Sequence, residues 1–224
     1  MSVEAPVRVP APEFAVTGAW HVPFAATPTM RFDAAVTEPE GIEVQSIALT
    51  AQVMIDPARR GYDSETRERL SELFGPPGNG PTGPPSTSGL AWARVATNVP
   101  GFTGATTFGI EVSCTYDLEV AAAKYFYAVR DGQVPLSFHF NGNVFYRGSG
   151  PGQPLMVVPV AWSTAQYSMP VDVWRAMIAE HYPGGGWIRL DDETLNALNE
   201  RRAGRGLASF DACVRELLEE GPKA

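Results

Sequence analysis

A chain of 224 residues, 44% hydrophobic and 19% charged, is long enough to bury one good hydrophobic core. Its net charge of -8 and its pI near 4.9 leave no field of Lys and Arg to displace counterions from nucleic acid or an anionic bilayer, so neither partner is expected. No run approaches the roughly 20 apolar residues of a spanning helix, which excludes helical membrane insertion, and MSVEAPVRVPAPEF has no apolar stretch behind a basic one. A cytoplasmic protein is expected. Cys114 and Cys213 lie far apart and read as reduced, buried thiols of that compartment.

Residues 1–12 carry three prolines and no periodicity and are expected to form a flexible arm. From Phe14, the segments FAVTGAWHV, TMRFDAAV and IEVQSIALTAQVMI alternate apolar and polar side chains, the period of half-buried strands, with EPEG at 38–41 as a turn; they predict an antiparallel meander. Asp63 and Ser64 precede a short helix near 64–74, stopped by Gly75. GPPGNGPTGPPSTSG, at 75–89, reads as a loop. Strand character resumes in LAWARVATNV and TTFGIEV on either side of PGFTG.

A helix near 115–131, capped by Thr115, would align Leu118, Ala121, Ala122, Tyr125, Phe126 and Val129 on one apolar face. Asp117 and Glu119 would complement its N-terminal dipole and Arg130 its C-terminal one, so these charges need no catalytic role. VPLSFHFNGNVFYRG predicts two strands around an Asn141-Gly142 hairpin turn, with His139 on the face opposite Phe138 and Phe140. LMVVPVAWS reads as a last strand, at an edge because of Pro159. A helical region over 165–224 follows: one helix through Val171, Trp174, Met177 and Ile178, a second capped by Asp191 and a third capped by Ser209 and carrying Val214, Leu217 and Leu218. WIRL, at 187–190, is a brief strand or an extended link between the first two.

The chemistry-bearing patterns are sparse. GNGPTG matches G-x-G-x-x-G at Gly78, Gly80 and Gly83, but prolines flank it where a dinucleotide site needs a strand before and a helix after, so it reads as linker. His21, His139 and His181 are isolated and neither cysteine has a nearby partner, so no metal or cofactor is expected. Cys114 is the best single nucleophile candidate, at a predicted helix N-terminus where a thiol pKa falls, yet a cysteine ending a strand is more often a small buried hydrophobe. No catalytic residue is assigned. Cys114, His139 and His181 are the groups to inspect if the protein is an enzyme. Among the large aromatics, Trp162, Tyr167 and Trp174 are candidates for a partner-binding groove, because such surfaces favour Trp and Tyr.

The segments FAVTG, RRGYDSETRERLSELFG, VPGFTG, CTYDLEVAAAKYFYAVRDGQVPL, VFYRG and WRAMIAEHYPGGGWIRL, in this order, resemble an uncharacterised actinobacterial family, a domain of unknown function, over about residues 14–218. What the resemblance implies is an association with nickel–iron hydrogenase genes and their maturation factors, with no catalytic residues to carry over. The loop at 75–89 is richer in Gly and Pro than that family's pattern. Separately, the strand, cysteine, helix, Gly-x-x-Pro and strand running from Cys114 to Leu136 are similar in layout to the centre of SecB-type chaperones, which bind unfolded polypeptide in apolar grooves.

These readings predict an α+β protein: an antiparallel sheet, flat or folded into a sandwich over residues 13–164, packed with helices and followed by a helical C-terminal region. The function expected is that of a non-enzymatic, chaperone-like accessory protein that binds another protein, with a hydrogenase subunit or its precursor as the partner implied by the resemblance. The alternatives are a structural subunit of a larger complex, or an enzyme or small-molecule carrier whose site is assembled from scattered residues.

Overall fold

The computed structural model describes residues 8–75, 89–115, 120–148, 153–184 and 188–221. Among the described residues, eight strands form two antiparallel sheets. β1 (Glu13–His21), β2 (Thr29–Thr37) and β5 (Ala105–Ser113) make the smaller, in the order β1-β2-β5. β4 (Leu90–Phe102), β3 (Val44–Ile55), β6 (Gln133–Arg147) and β7 (Leu155–Pro159) make the larger, with β8 (Ser163–Pro170) also paired to β6. The helices are α1 (Ser64–Arg69), α2 (Ser71–Phe74), α3 (Ala121–Ala128), α4 (Val171–His181), α5 (Asp192–Gly204) and α6 (Phe210–Glu220). The chain divides into two compact units, residues 1–186 and 187–224. It is therefore an α+β protein, as its patterning predicts.

In the first unit the alternation seen in the sequence becomes burial. Met30, Phe32, Ala34 and Val36 of β2 are inaccessible, and Ile47, Leu49, Ala51, Val53 and Ile55 of β3 are buried, while the residues between them are half-buried or exposed. The two apolar faces meet. Phe32 packs edge-on against Phe138 of β6 at 5.0 Å and against Trp92 of β4 at 5.7 Å, and Phe14 of β1 stacks on Phe140 at 4.8 Å. Burying one such side chain contributes about 1.5–3 kcal/mol, so this seam outweighs any polar contact of the unit.

The strands do not form a meander. Only β1 and β2 pair as consecutive strands of the first three; β3 crosses to the other sheet, where it pairs with β4 and β6 along most of its length, and β5 returns to β2. Alternation fixes which side chains point inward but not which partner a strand takes.

The predicted hairpin at Asn141-Gly142 is likewise absent. β6 runs unbroken through it, with Asn141 opposite Thr50 and Gly142 opposite Leu49. A Cβ on Gly142 would stand 2.0 Å from the carbonyl oxygen of Ala48, so this glycine marks a close backbone approach rather than a turn. The free edge of β6 is shared by two strands: β7 pairs with residues 143–147 and β8 with residues 133–140. β8 lies across the boundary where the sequence reading places the start of the helical region, and the helices begin instead at Val171.

The helix near 115–131 is shorter than its apolar periodicity suggests. It runs from Ala121 to Ala128 after Val120 in extended backbone, Thr115 lies outside it, and residues 116–119 are outside the described residues. Ala122, Ala123, Tyr125, Phe126 and Ala128 are buried, whereas Ala121, expected on the apolar face, is exposed at the first turn. The cap predicted at Asp63 is present, its carboxylate accepting from the Thr66 N–H at 2.7 Å. The loop at 75–89 falls almost wholly outside the described residues, as does Trp187; Ile188–Leu190 form no strand.

The second unit is a helical pair. Asp191 caps α5 through the Thr194 N–H and Ser209 caps α6 through the Ala212 N–H, as predicted. Its fully buried hydrophobic residue is Cys213, and Arg201 and Arg205 bridge to Glu216 and Glu220. No helix of the described residues is long and apolar enough to cross a membrane.

Replacing Gly142 by Val forces β3 and β6 apart at Ala48. The expected cost is about 2–4 kcal/mol in urea unfolding, whereas Gly61→Ala, with nothing within 4 Å of its added Cβ, should cost no more than about 0.5 kcal/mol. Equal costs at the two positions would show that β6 does not run straight past Ala48.

Candidate interaction site

The side chains that close one end of the sandwich also line its described cleft. α4 follows β8 directly, with Pro170 before it, and its residues Val171, Trp174, Met177 and Ile178 recur at three- and four-residue steps and are buried. α3 packs on β4, where Phe126 meets Trp92 at 4.7 Å. The two helices are joined through their rings: Phe126 and Trp174 stack at 5.2 Å with their planes 14° apart.

That stacked pair forms the base of an open cleft of about 350 Å³, walled by Tyr127, Ile178, Ala179 and Tyr182 and edged by Arg175 and Gly184. The volume lies near the lower end of the range of ligand sites. Its walls are apolar or aromatic, and its cation is Arg175, whose guanidinium donates to the Arg130 carbonyl at 3.0 Å. Such a surface can take a large apolar group and, beside it, an anionic one.

A buried polar tie holds α3 in place. Tyr62 donates to the Pro57 carbonyl at 2.8 Å, so the hydroxyl of Tyr125, 2.7 Å away, donates to Tyr62. Burial pushes both phenols above their ordinary value of 10.0. Arg60 lies over the Tyr62 ring at 5.1 Å and donates to the carbonyls of Asp131 and Gln133, which fixes the exit of α3.

Residues 9–224 match the model of a family of unknown function, DUF6084. The chain belongs to the DUF6084 family. No curated protein matches it. Three solved structures resemble this DUF6084 chain at low identity. A protein proposed to be late embryogenesis abundant (LEA) is 12% identical over 72% of each chain, with a TM-score of 0.30. The proposed ApaA protein from Bordetella pertussis is 13% identical over 71% of this chain and 95% of its own, with a TM-score of 0.24. A protein from Archaeoglobus fulgidus is 7% identical over 69% of this chain and 98% of its own, with a TM-score of 0.27. Likeness at these scores carries no argument about function.

The residues singled out from the DUF6084 sequence are scattered. Trp174 lies at the base of the cleft and is only 3% exposed. Tyr167, half-buried on β8, packs edge-on against Phe32 at 6.5 Å and belongs with the core. Trp162 is 78% exposed and lies 5.8 Å from the ring of His139, which also bonds Thr164 at 3.1 Å on the outer face of the larger sheet. His181 has Nδ1 at 3.0 Å from the Met177 carbonyl and Nε2 at 3.1 Å from that of Ala25, and so ties α4 to the β1–β2 connection. His21 meets Glu180 at 2.9 Å beside it.

Cys114 follows β5, not a helix N-terminus; its thiol donates to the Val112 carbonyl at 3.4 Å, and burial pushes it up to about 12. No group of three metal-ligating side chains gathers among the described residues. Arg175, Ala179 and Tyr182 escape a sequence reading because an exposed Arg or Ala on an amphipathic helix carries no signal. Of the three, only Tyr182 is reached by a pattern, the four-residue steps from Trp174 through Ile178.

Two outcomes follow from the buried groups. At pH 8 a thiol held near 12 has about a thousandth of the thiolate of an ordinary cysteine, so Cys114 in a Cys213→Ala chain should react with Ellman's reagent more than about a hundredfold slower than the unfolded chain; labelling at the unfolded rate refutes its burial. On unfolding, the thiol and both phenols regain ordinary values of 9.0 and 10.0. The folded state then holds more protons than the unfolded state, so stability is complete below pH 9 and falls as pH rises, through Cys114 first and the phenols from about pH 10 upward. The urea midpoint measured from pH 8 to 11 should fall accordingly, and Tyr125→Phe should shallow the fall above pH 10.

Proposed function

We propose that this protein is a non-enzymatic accessory protein that holds a segment of another polypeptide in the cleft between α3 and α4. The observation that carries the reading is the cleft itself, where the stacked Phe126 and Trp174 offer an aromatic base and Tyr127, 52% exposed, rises beside them. Interfaces concentrate binding energy in such aromatic pockets, and Trp, Tyr and Arg are the residue types that carry it. The partner suggested by the family resemblance is a hydrogenase subunit or its precursor, met in the cytoplasm during assembly. The acidic charge of the chain fits a polypeptide partner better than nucleic acid.

Ala179 is exposed on the wall of the cleft, so Ala179→Trp fills the space without disturbing the core. Tagged protein purified from its native host should retain a partner near one-to-one by quantitative mass spectrometry, with a hydrogenase subunit the first to be sought. The Ala179→Trp chain should retain at least about tenfold less, the effect of losing a single hot spot. Identical retention by both chains would sink the reading.

A further inference from the structure

Resting on that reading, we infer the chemistry of the segment the cleft receives: a large apolar side chain with a carboxylate beside it, the carboxylate meeting Arg175. The argument is one of charge. Arg175 is exposed at the rim and its guanidinium spends one N–H on the Arg130 carbonyl, while no carboxylate of the described residues pairs with it. The acids around it are occupied or turned elsewhere. Glu65 is held by Arg69 and Arg130, Asp131 lies against Arg60, and Asp172, one turn before Arg175 on α4, makes no ion pair with it. Arg130 meets Arg175 through its carbonyl alone and turns its own guanidinium to Glu65 at 3.6 Å.

Nine other described Arg and Lys side chains have a carboxylate partner, whereas Arg175, at the rim of an aromatic cleft, has none. A guanidinium beside an aromatic base recognises a carboxylate by paired N–H donors that a neutral or cationic group cannot use. Burial of the apolar group against Phe126 and Trp174 lowers the local dielectric and strengthens that bond. Like-charge contact with Arg175 excludes basic segments, so the rim selects as well as binds.

The minimal probes are N-acetyl-phenylalanine, its neutral amide, and phenylalaninamide, which is cationic. Ligands of this size bind at about millimolar strength at best, within reach of NMR titration of the full chain, read at the indole N–H of Trp174 and the side-chain N–H of Arg175. The acid should bind at least about fivefold tighter than the amide and the cation weakest, as charge-assisted bonding at a partly desolvated site requires. Arg175→Gln should bring the ratio of acid to amide affinity to about one, whatever it does to amide affinity itself. Equal affinity of acid and amide in the parent chain overturns the carboxylate inference and leaves the apolar cleft standing. If none of the three moves the Trp174 signal up to tens of millimolar while Ala179→Trp still abolishes partner capture, the inference about ligand chemistry fails and the protein-binding reading survives. Silence in both experiments removes both.

Discussion

Phe32 and Phe138 meet edge-to-face at 5.0 Å, and most of the first unit depends on that contact between its two sheets. β2 and β6 each present a fully buried apolar row, and neither row has any other surface to face. A sheet with one apolar face must find a second layer, and here the layers are unequal: three strands against five. Aromatic rings span the gap. Phe14 reaches Phe140, and Phe32 reaches Phe138, Trp92 and Tyr167.

The unequal layers account for the position of the cleft. The larger sheet ends in β8, which passes into α4 at Pro170 with no intervening loop, so α4 begins where the core ends. Its buried face continues the core through Val171 and Met177, and Trp174 extends it to Phe126 on α3. The aromatic stack is therefore both the last layer of the core and the base of the cleft. A substitution there changes stability and binding together, and only wall residues such as Ala179 and Arg175 separate the two.

Legibility in the sequence followed the range of the interaction. The strands of β1, β2, β3 and β5, and the caps at Asp63, Asp191 and Ser209, rest on neighbours within a few residues and were readable from spacing alone. The assignment of β3 to a different sheet from β2 rests on pairing with β4 and β6 dozens of residues away, and no local pattern records it. Asn141-Gly142 shows the same limit. An Asn-Gly pair between apolar alternations is the strongest short-range turn signal, yet here the glycine is required by the backbone of Ala48, a long-range neighbour. β8 was missed for a related reason: TAQYSMP alternates weakly, and its pairing with β6 supplies what its own pattern does not. Of the cleft, Trp174 and Ile178 could be grouped by helical spacing, and Phe126 fell on the apolar face of a separate helix, whereas Arg175 and Ala179 became visible only once two helices lay side by side.

The two units obey different energetics, and this bears on which of them can carry a binding site with fixed geometry. The first is held by a contiguous apolar core with its buried hydroxyls paired, and such packing admits few alternative arrangements. The helical pair of residues 188–221 buries Cys213 and otherwise relies on caps and on Arg–Glu bridges, each worth little in water and weakened by salt. Its apolar residues Leu195, Phe210, Leu217 and Leu218 remain exposed. Helices of this length gain most of their stability from a buried face, so the pair stands at the low end of local stability. The cleft is built wholly from residues of the first unit, and its Phe126 and Trp174 rings belong to that unit's contiguous core.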